Sequence, residues 1–138
     1  MSGGTVKGLM RHVCDEASQC GAEVVGVLPR FMKGLEHPAL TECVWTDTMS
    51  QRKEAMRAGT SLAIALPGGI GTLDELAETY CLAKMGLYGG RVVAFDMEGF
   101  YEPLKRQLDG FVRAGMLSED ALGLISFPVT VEEVEALL

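Results

Sequence analysis

Short apolar runs alternate along the chain with longer stretches whose apolar positions recur every three or four residues. The runs E-V-V-G-V-L at 23–28, E-C-V-W-T at 42–46, S-L-A-I-A-L at 61–66, R-V-V-A-F at 91–95 and L-I-S-F at 124–127 predict strands. Most are apolar on both faces rather than alternating, which suits parallel strands covered by helices on each side. Helical spacing of Val6, Leu9, Met10, Val13 and Ala17 predicts a first helix over 6–19, ending before Gly21. Further helices are expected over 48–58, 72–86, 99–114 and 129–138. Pro29 is expected to stop the first strand, and 30–41, with Gly34 and Pro38, to be loop. The predicted class is α/β: a Rossmann-like, three-layer, doubly wound arrangement with a mostly parallel sheet and helices on both faces. In such sheets ligands bind beyond the carboxyl ends of strands.

The 138 residues suit one domain spanning 1–138 with a core of ordinary size. No apolar run approaches the ~18 residues needed to span a bilayer. The start M-S-G-G-T-V-K has no apolar signal-peptide region, so a cytoplasmic, soluble protein with no membrane partner is expected. A net charge of −7 disfavours binding to a nucleic-acid backbone, which requires basic patches. It leaves room for a single small phosphate at a local site. Cys14, Cys20, Cys43 and Cys81 form no C-x-x-C pair, and His12 and His37 add no ligand spacing. No metal site is therefore expected, and the thiols are expected to be buried and reduced.

Residues 67–75 read P-G-G-I-G-T-L-D-E, directly behind the run at 61–66. Gly68, Gly69 and Gly71 are candidates for cradling a phosphate, because a glycine turn at a helix start exposes free N–H groups and the positive end of the helix dipole. No G-K-[ST] follows, so this is not a Walker loop, and Asp74 replaces the last glycine of a dinucleotide fingerprint. A purely local reading also stands: T-L-D-E is a capping box in which Thr72 caps the helix and Glu75 reaches back to it. Leu73, Leu76, Ala77, Tyr80 and Leu87 make an apolar stripe on this helix. From Tyr80 onward the helix is apolar on most sides, as expected where a partner subunit covers it.

The stretch T-M-S-Q-R-K-E-A-M-R places Met49, Arg52 and Met56 on one helical face. A partly buried Arg52 requires a partner, either a carboxylate or a bound anion, unless its head snorkels to water.

P-G-G-I-G-T-L-D-E resembles a P-G-G-x-G-T-x-x-E motif, and R-K-E-A-M resembles R-K-x-x-M. Together they resemble the Lonely Guy family of cytokinin-activating phosphoribohydrolases, also labelled "possible lysine decarboxylases". G-G-T-V-K-G-L-M at 3–10, G-V-L-P-R-F at 26–31, H-P-A-L-T-E at 37–42 and D-T-M at 47–49 fit in order. The resemblance implies hydrolysis of the N-glycosidic bond of N-modified adenosine 5′-monophosphates, giving free base and ribose 5-phosphate. It implies Arg52 and Glu75 as catalytic residues, and Gly68, Gly69, Gly71, Thr72 and Lys53 as the phosphate- or nucleotide-binding set. Arg52 would hold substrate oxygens or stabilise the Glu75 carboxylate. The resemblance implies no cofactor, an AMP-like nucleotide as ligand, and a homodimer or higher homo-oligomer. Relatives begin with a further strand, helix and strand before the glycine-rich turn, a segment expected to be lacking here. The alternatives are a non-catalytic nucleotide or molybdenum-cofactor carrier, or a vestigial oligomerisation module. Trp45 and Tyr80 are possible base contacts, with a core role the commoner use of such residues.

Overall fold

The structure, a computed structural model, describes residues 1–137. It divides into two compact units, Met1–Gly59 and Thr60–Leu138.

In the first unit, helix α1 (Gly8–Gln19) leads to strand β1 (Val25–Pro29), a 3-10 turn (Arg30–Met32), strand β2 (Glu42–Thr46) and helix α2 (Met49–Arg57). β1 and β2 pair in parallel, from Val25 opposite Glu42 to Pro29 opposite Thr46. Pro29 thus ends the strand from within, correcting the expectation that it stops the strand one residue earlier. Its φ of −73° and ψ of 147° are extended, so the ring costs the strand's last position nothing. Ser2 also joins β1: its N–H donates to the Val25 carbonyl at 2.8 Å, and the Val27 N–H donates to the Ser2 carbonyl at 3.0 Å. The His37 N–H donates to the Gly4 carbonyl at 2.8 Å. The His37 ring is buried, with Nδ1 accepting from the Ala39 N–H and Nε2 lying 3.3 Å from Asp15 Oδ1 on α1. The proton therefore sits on Nε2. α2 opens with a full capping box, Thr48 with Gln51.

In the second unit, strand β3 (Leu62–Ala65), helix α3 (Ile70–Lys84) and strand β4 (Arg91–Ala94) form a β-α-β crossover. Helices α4 (Glu102–Arg113) and α5 (Glu119–Leu122) lead to strand β5 (Ile125–Ser126), and helix α6 (Val131–Glu135) follows. The strand order is β3-β4-β5, all parallel. Val92 and Ala94 stand two apart on β4 and so share a face, where they pack with Leu76 and Tyr80 of α3 and Leu108 of α4. The named strands of both units pair only in parallel, so the α/β class expected of a Rossmann-like chain is what is found.

Three helices end in the same way. After α1, α3 and α4 a glycine at positive φ (Gly21, Gly86, Gly115) turns the chain, and the next residue's N–H reaches back to a carbonyl of the last turn. Two features escaped the sequence pattern. α5 is four residues long, too short to display a period. α4 starts at Glu102 rather than near 99, because a 3-10 turn over Met97–Gly99 holds Glu98 at φ 53° first. Among the described residues no helix is long and apolar enough to cross a membrane.

Leu28 on β1 is fully buried. Leu28→Ala is expected to cost about 2–5 kcal/mol, seen as a lowered urea midpoint. An unchanged midpoint would contradict this account of the first unit's core.

Candidate active site

β3 ends at Ala65 and α3 starts at Ile70, so four residues, 66–69, carry the chain from strand to helix. The last ladder bond runs from the Phe95 N–H to the Ala65 carbonyl at 2.9 Å. The next carbonyl, that of Leu66, accepts from the Tyr101 hydroxyl at 2.7 Å. Gly69 is the N-cap and supplies no side-chain bond. The N-cap therefore offers no side chain to the first N–H groups of α3, an arrangement that favours an anion. Thr72 lies inside the helix, three positions beyond the cap. This corrects the capping-box reading of T-L-D-E. Two glycines let the helix start earlier than Thr72, and the first turn carries no acidic residue, so Asp74 and Glu75 lie beyond it.

The glycines of this turn divide by cause. None of Gly68, Gly69 and Gly71 has a positive φ. A Cβ on Gly68 would strike the Thr72 side chain, so that glycine is required by close packing inside the turn. A Cβ on Gly69 or Gly71 would meet nothing within 4 Å, and both residues are exposed. Neither backbone strain nor internal packing demands glycine there. What glycine provides is clear space in front of the helix N-terminus. Thr72 is half-buried beside it. Glu75, also half-buried, sits about 7 Å further along the helix axis than Ile70. Its carbonyl accepts from the Thr79 hydroxyl at 2.7 Å.

Arg52 lies in the first unit, on α2, and is 7% exposed. Its Nε donates to the Val27 carbonyl at 2.9 Å. A Cβ on Gly3 would strike Arg52 Nη2 and come within 2.6 Å of the Met10 sulfur. Gly3 therefore leaves the gap that the guanidinium occupies. Lys53 follows on the same helix and is half-buried. Met49, expected on the apolar face with Arg52, is 43% exposed. The first unit thus carries Arg52 and Lys53, and the second carries Gly68, Gly69, Gly71, Thr72 and Glu75. Sequence reasoning assigned no role to Gly3, Val27 or Tyr101. The paired glycines at 3–4 were the available signal for the first, whereas the other two act through contacts distant in sequence.

Tyr80 is a core residue: it is buried and its hydroxyl donates to the Ala121 carbonyl at 2.8 Å. Burial raises its phenol above the ordinary value, and Cys81 adds to the shift. Trp45 is half-buried on β2. Of the free thiols only Cys14 is fully buried. Cys20 and Cys81 are exposed, which corrects the expectation that all are buried, since each faces out from a helix or its end. Burial and the neighbouring Glu36 raise the Cys43 thiol. An apolar cavity of about 340 Å³ lies between α3 and α4, lined by Leu76, Tyr80, Leu108 and Phe111 among others. Its lining includes none of Arg52, Lys53, Gly68, Gly69, Gly71, Thr72 and Glu75, and it offers little polar chemistry.

The pattern of the family described as "Possible lysine decarboxylase" matches residues 10–138. A cytokinin riboside 5′-monophosphate phosphoribohydrolase from Mycobacterium tuberculosis is 34% identical over 122 residues, covering 87% of this chain and 65% of that protein. One from Oryza sativa is 34% identical over 134 residues, covering 96% of this chain and 55% of that protein. One from Arabidopsis thaliana is 35% identical over 138 residues, covering 98% of this chain and 65% of that protein. The chain thus spans between about half and two thirds of the length of these relatives.

The division among the glycines can be tested directly. Gly69→Ala and Gly71→Ala are expected to leave stability within about 1 kcal/mol, with Gly71→Ala neutral or stabilising. Both are expected to weaken binding of ribose 5-phosphate at least tenfold by calorimetry. Retained affinity in both variants would show that the space in front of the turn is not used. Gly3→Ala is expected to cost about 1–3 kcal/mol in urea unfolding, as overpacking against the Arg52 guanidinium does elsewhere.

Proposed function

The chain belongs to the possible lysine decarboxylase family, that of the Lonely Guy phosphoribohydrolases, and from this premise we propose that it hydrolyses the N-glycosidic bond of N-modified adenosine 5′-monophosphates. The observation that carries the reading is the run at 67–75. An exposed glycine turn at the carboxyl end of a parallel strand opens a helix without a side-chain cap, and Glu75 follows on that helix. The proposal takes residues 1–138 as one domain of this kind.

In the proposed reaction, water adds to the anomeric carbon as the bond from that carbon to the base nitrogen breaks. The base leaves with a proton, and ribose 5-phosphate retains the water oxygen. Positive charge grows on the ribose as the bond lengthens, as in glycoside hydrolysis generally. A carboxylate beside the anomeric carbon stabilises that charge and takes a proton from the attacking water. Glu75 is assigned this role. The turn at Gly68, Gly69, Gly71 and Thr72 is assigned to the 5′-phosphate, Lys53 to the nucleotide, and Arg52 to substrate oxygens or to stabilising the Glu75 carboxylate. Anchoring the phosphate binds the substrate through contacts remote from the reacting bond that are made equally before and during the reaction.

The proposal includes a cytoplasmic homodimer or higher homo-oligomer. Ile70, Met85 and Leu87, at the two ends of α3, are 82%, 61% and 72% exposed, a large apolar area for a single chain to show water. Light scattering is expected to give at least twice the mass of one chain at micromolar concentration, and a monomer at all concentrations would refute this part.

Incubation with the 5′-monophosphate of isopentenyl adenosine is expected to release free base, detected by liquid chromatography. Glu75→Gln is expected to reduce kcat by about 100-fold or more, the usual scale for a lost acid–base group. No release by the unaltered protein, or equal release by the variant, would overturn the mechanism.

A further inference from the structure

The strand that feeds the glycine turn is held by a bond from outside the sheet. β3 is tied to β4 as far as Ala65, whose carbonyl accepts from the Phe95 N–H at 2.9 Å. Beyond that rung the ladder stops. The Leu66 carbonyl is then taken by the Tyr101 hydroxyl at 2.7 Å, across 35 residues of sequence. Pro67 and Gly68 follow at once.

Tyr101 is itself fixed at several points. Its side chain is 5% exposed and packs in the core with Ala94 and Leu108. Its ring stands edge-on to Phe100, with centroids 5.1 Å apart and planes at 85°. Its N–H donates to Asp96 Oδ1 at 2.5 Å, and the Asp96 N–H donates to the Pro128 carbonyl at 2.8 Å. Asp96 is 5% exposed and directly follows β4 and Phe95. A chain of bonds therefore runs from the segment after β5, through the end of β4, to the residue before the glycine turn. Burial raises the Tyr101 phenol above its ordinary value, so the hydroxyl stays a donor.

We propose that Tyr101 is a positioning residue that sets the angle at which the glycine turn leaves β3, and so the direction of the free N–H groups of α3. The inference rests on the reading of that turn as the phosphate site. The effect falls on affinity rather than on the chemical step, because the phosphate is held but does not react.

Tyr101→Phe removes one oxygen and keeps the ring. Tyr80→Phe is the matched control, since Tyr80 is also a buried core tyrosine donating to a backbone carbonyl, but to Ala121, away from the turn. Tyr101→Phe is expected to raise KM for the nucleotide about fivefold, the scale of one hydrogen bond, with kcat within about twofold of the unaltered protein. Tyr80→Phe is expected to leave KM within about twofold. An unchanged KM in Tyr101→Phe, or an equal rise in both variants, would overturn the proposal.

If the unaltered protein releases no base, the phosphoribohydrolase reading fails while the positioning claim stays testable by nuclear magnetic resonance. Tyr101→Phe is then expected to shift the Leu66 carbonyl carbon and the amides of Gly68, Gly69 and Gly71, leaving those of α6 in place. Calorimetry with ribose 5-phosphate is expected to give the same fivefold loss. Unmoved resonances over 66–72 would refute the claim without reference to activity.

Discussion

The turn between β3 and α3 holds no side chain at the N-cap, and the second unit is organised around that constraint. Residues 66–69 contain no side chain able to bond the first N–H groups of α3, and the N-cap itself is a glycine. The N-cap leaves those donors without a side chain of its own, an arrangement that suits water or an anion. Their direction is set from elsewhere: the β3–β4 ladder up to Ala65, Tyr101 on the Leu66 carbonyl, and Leu76 seating α3 on β4. The chemistry proposed for the turn is thus a by-product of an uncapped helix held rigidly from behind.

The first unit solves a different problem, the burial of a cation. Arg52 leaves water on a helix whose Ser50, Gln51 and Glu54 are exposed. Its Nε is satisfied by the Val27 carbonyl, which belongs to the strand beneath. A guanidinium keeps its charge even when buried, so its neighbours must adapt to it. Gly3 does so by having no side chain, and Met10 by lending a polarisable sulfur to the same gap. Ser2 and His37 hold that glycine segment against β1 and the loop, so placement of Arg52 depends on three stretches of sequence.

The strands were legible because each is a compact apolar run. β2 was located to the residue, and β1, β3, β4 and β5 to within two residues at either end. Helix ends were legible where a glycine stops the helix, as at Gly21, and less so where the start depends on turn geometry. α3 begins two residues before Thr72 because Gly69 serves as cap, and local pattern favours the threonine that precedes L-D-E. α4 begins late because Glu98 takes a left-handed conformation that its sequence does not announce. At the candidate site the residue types were readable and their supports were not. Val27 and Tyr101 act on Arg52 and Leu66 across 25 and 35 residues of sequence. No periodicity encodes such a pairing.

The glycines show most clearly what structure adds to a motif. In the string P-G-G-I-G-T all three look alike. In the fold one is demanded by the chain itself, because Thr72 occupies the space its Cβ would need. The other two lack a positive φ and face open space, so neither backbone strain nor packing selects them. A residue that gives up helix stability or chain stiffness without a structural return points to something outside the chain. In front of an uncapped helix start, that something is a group which must come within bonding distance of the main chain, and a methyl group at Gly69 or Gly71 would hold it off. The same reasoning separates Gly3, which makes room for a side chain already present, from the two glycines proposed to make room for a ligand.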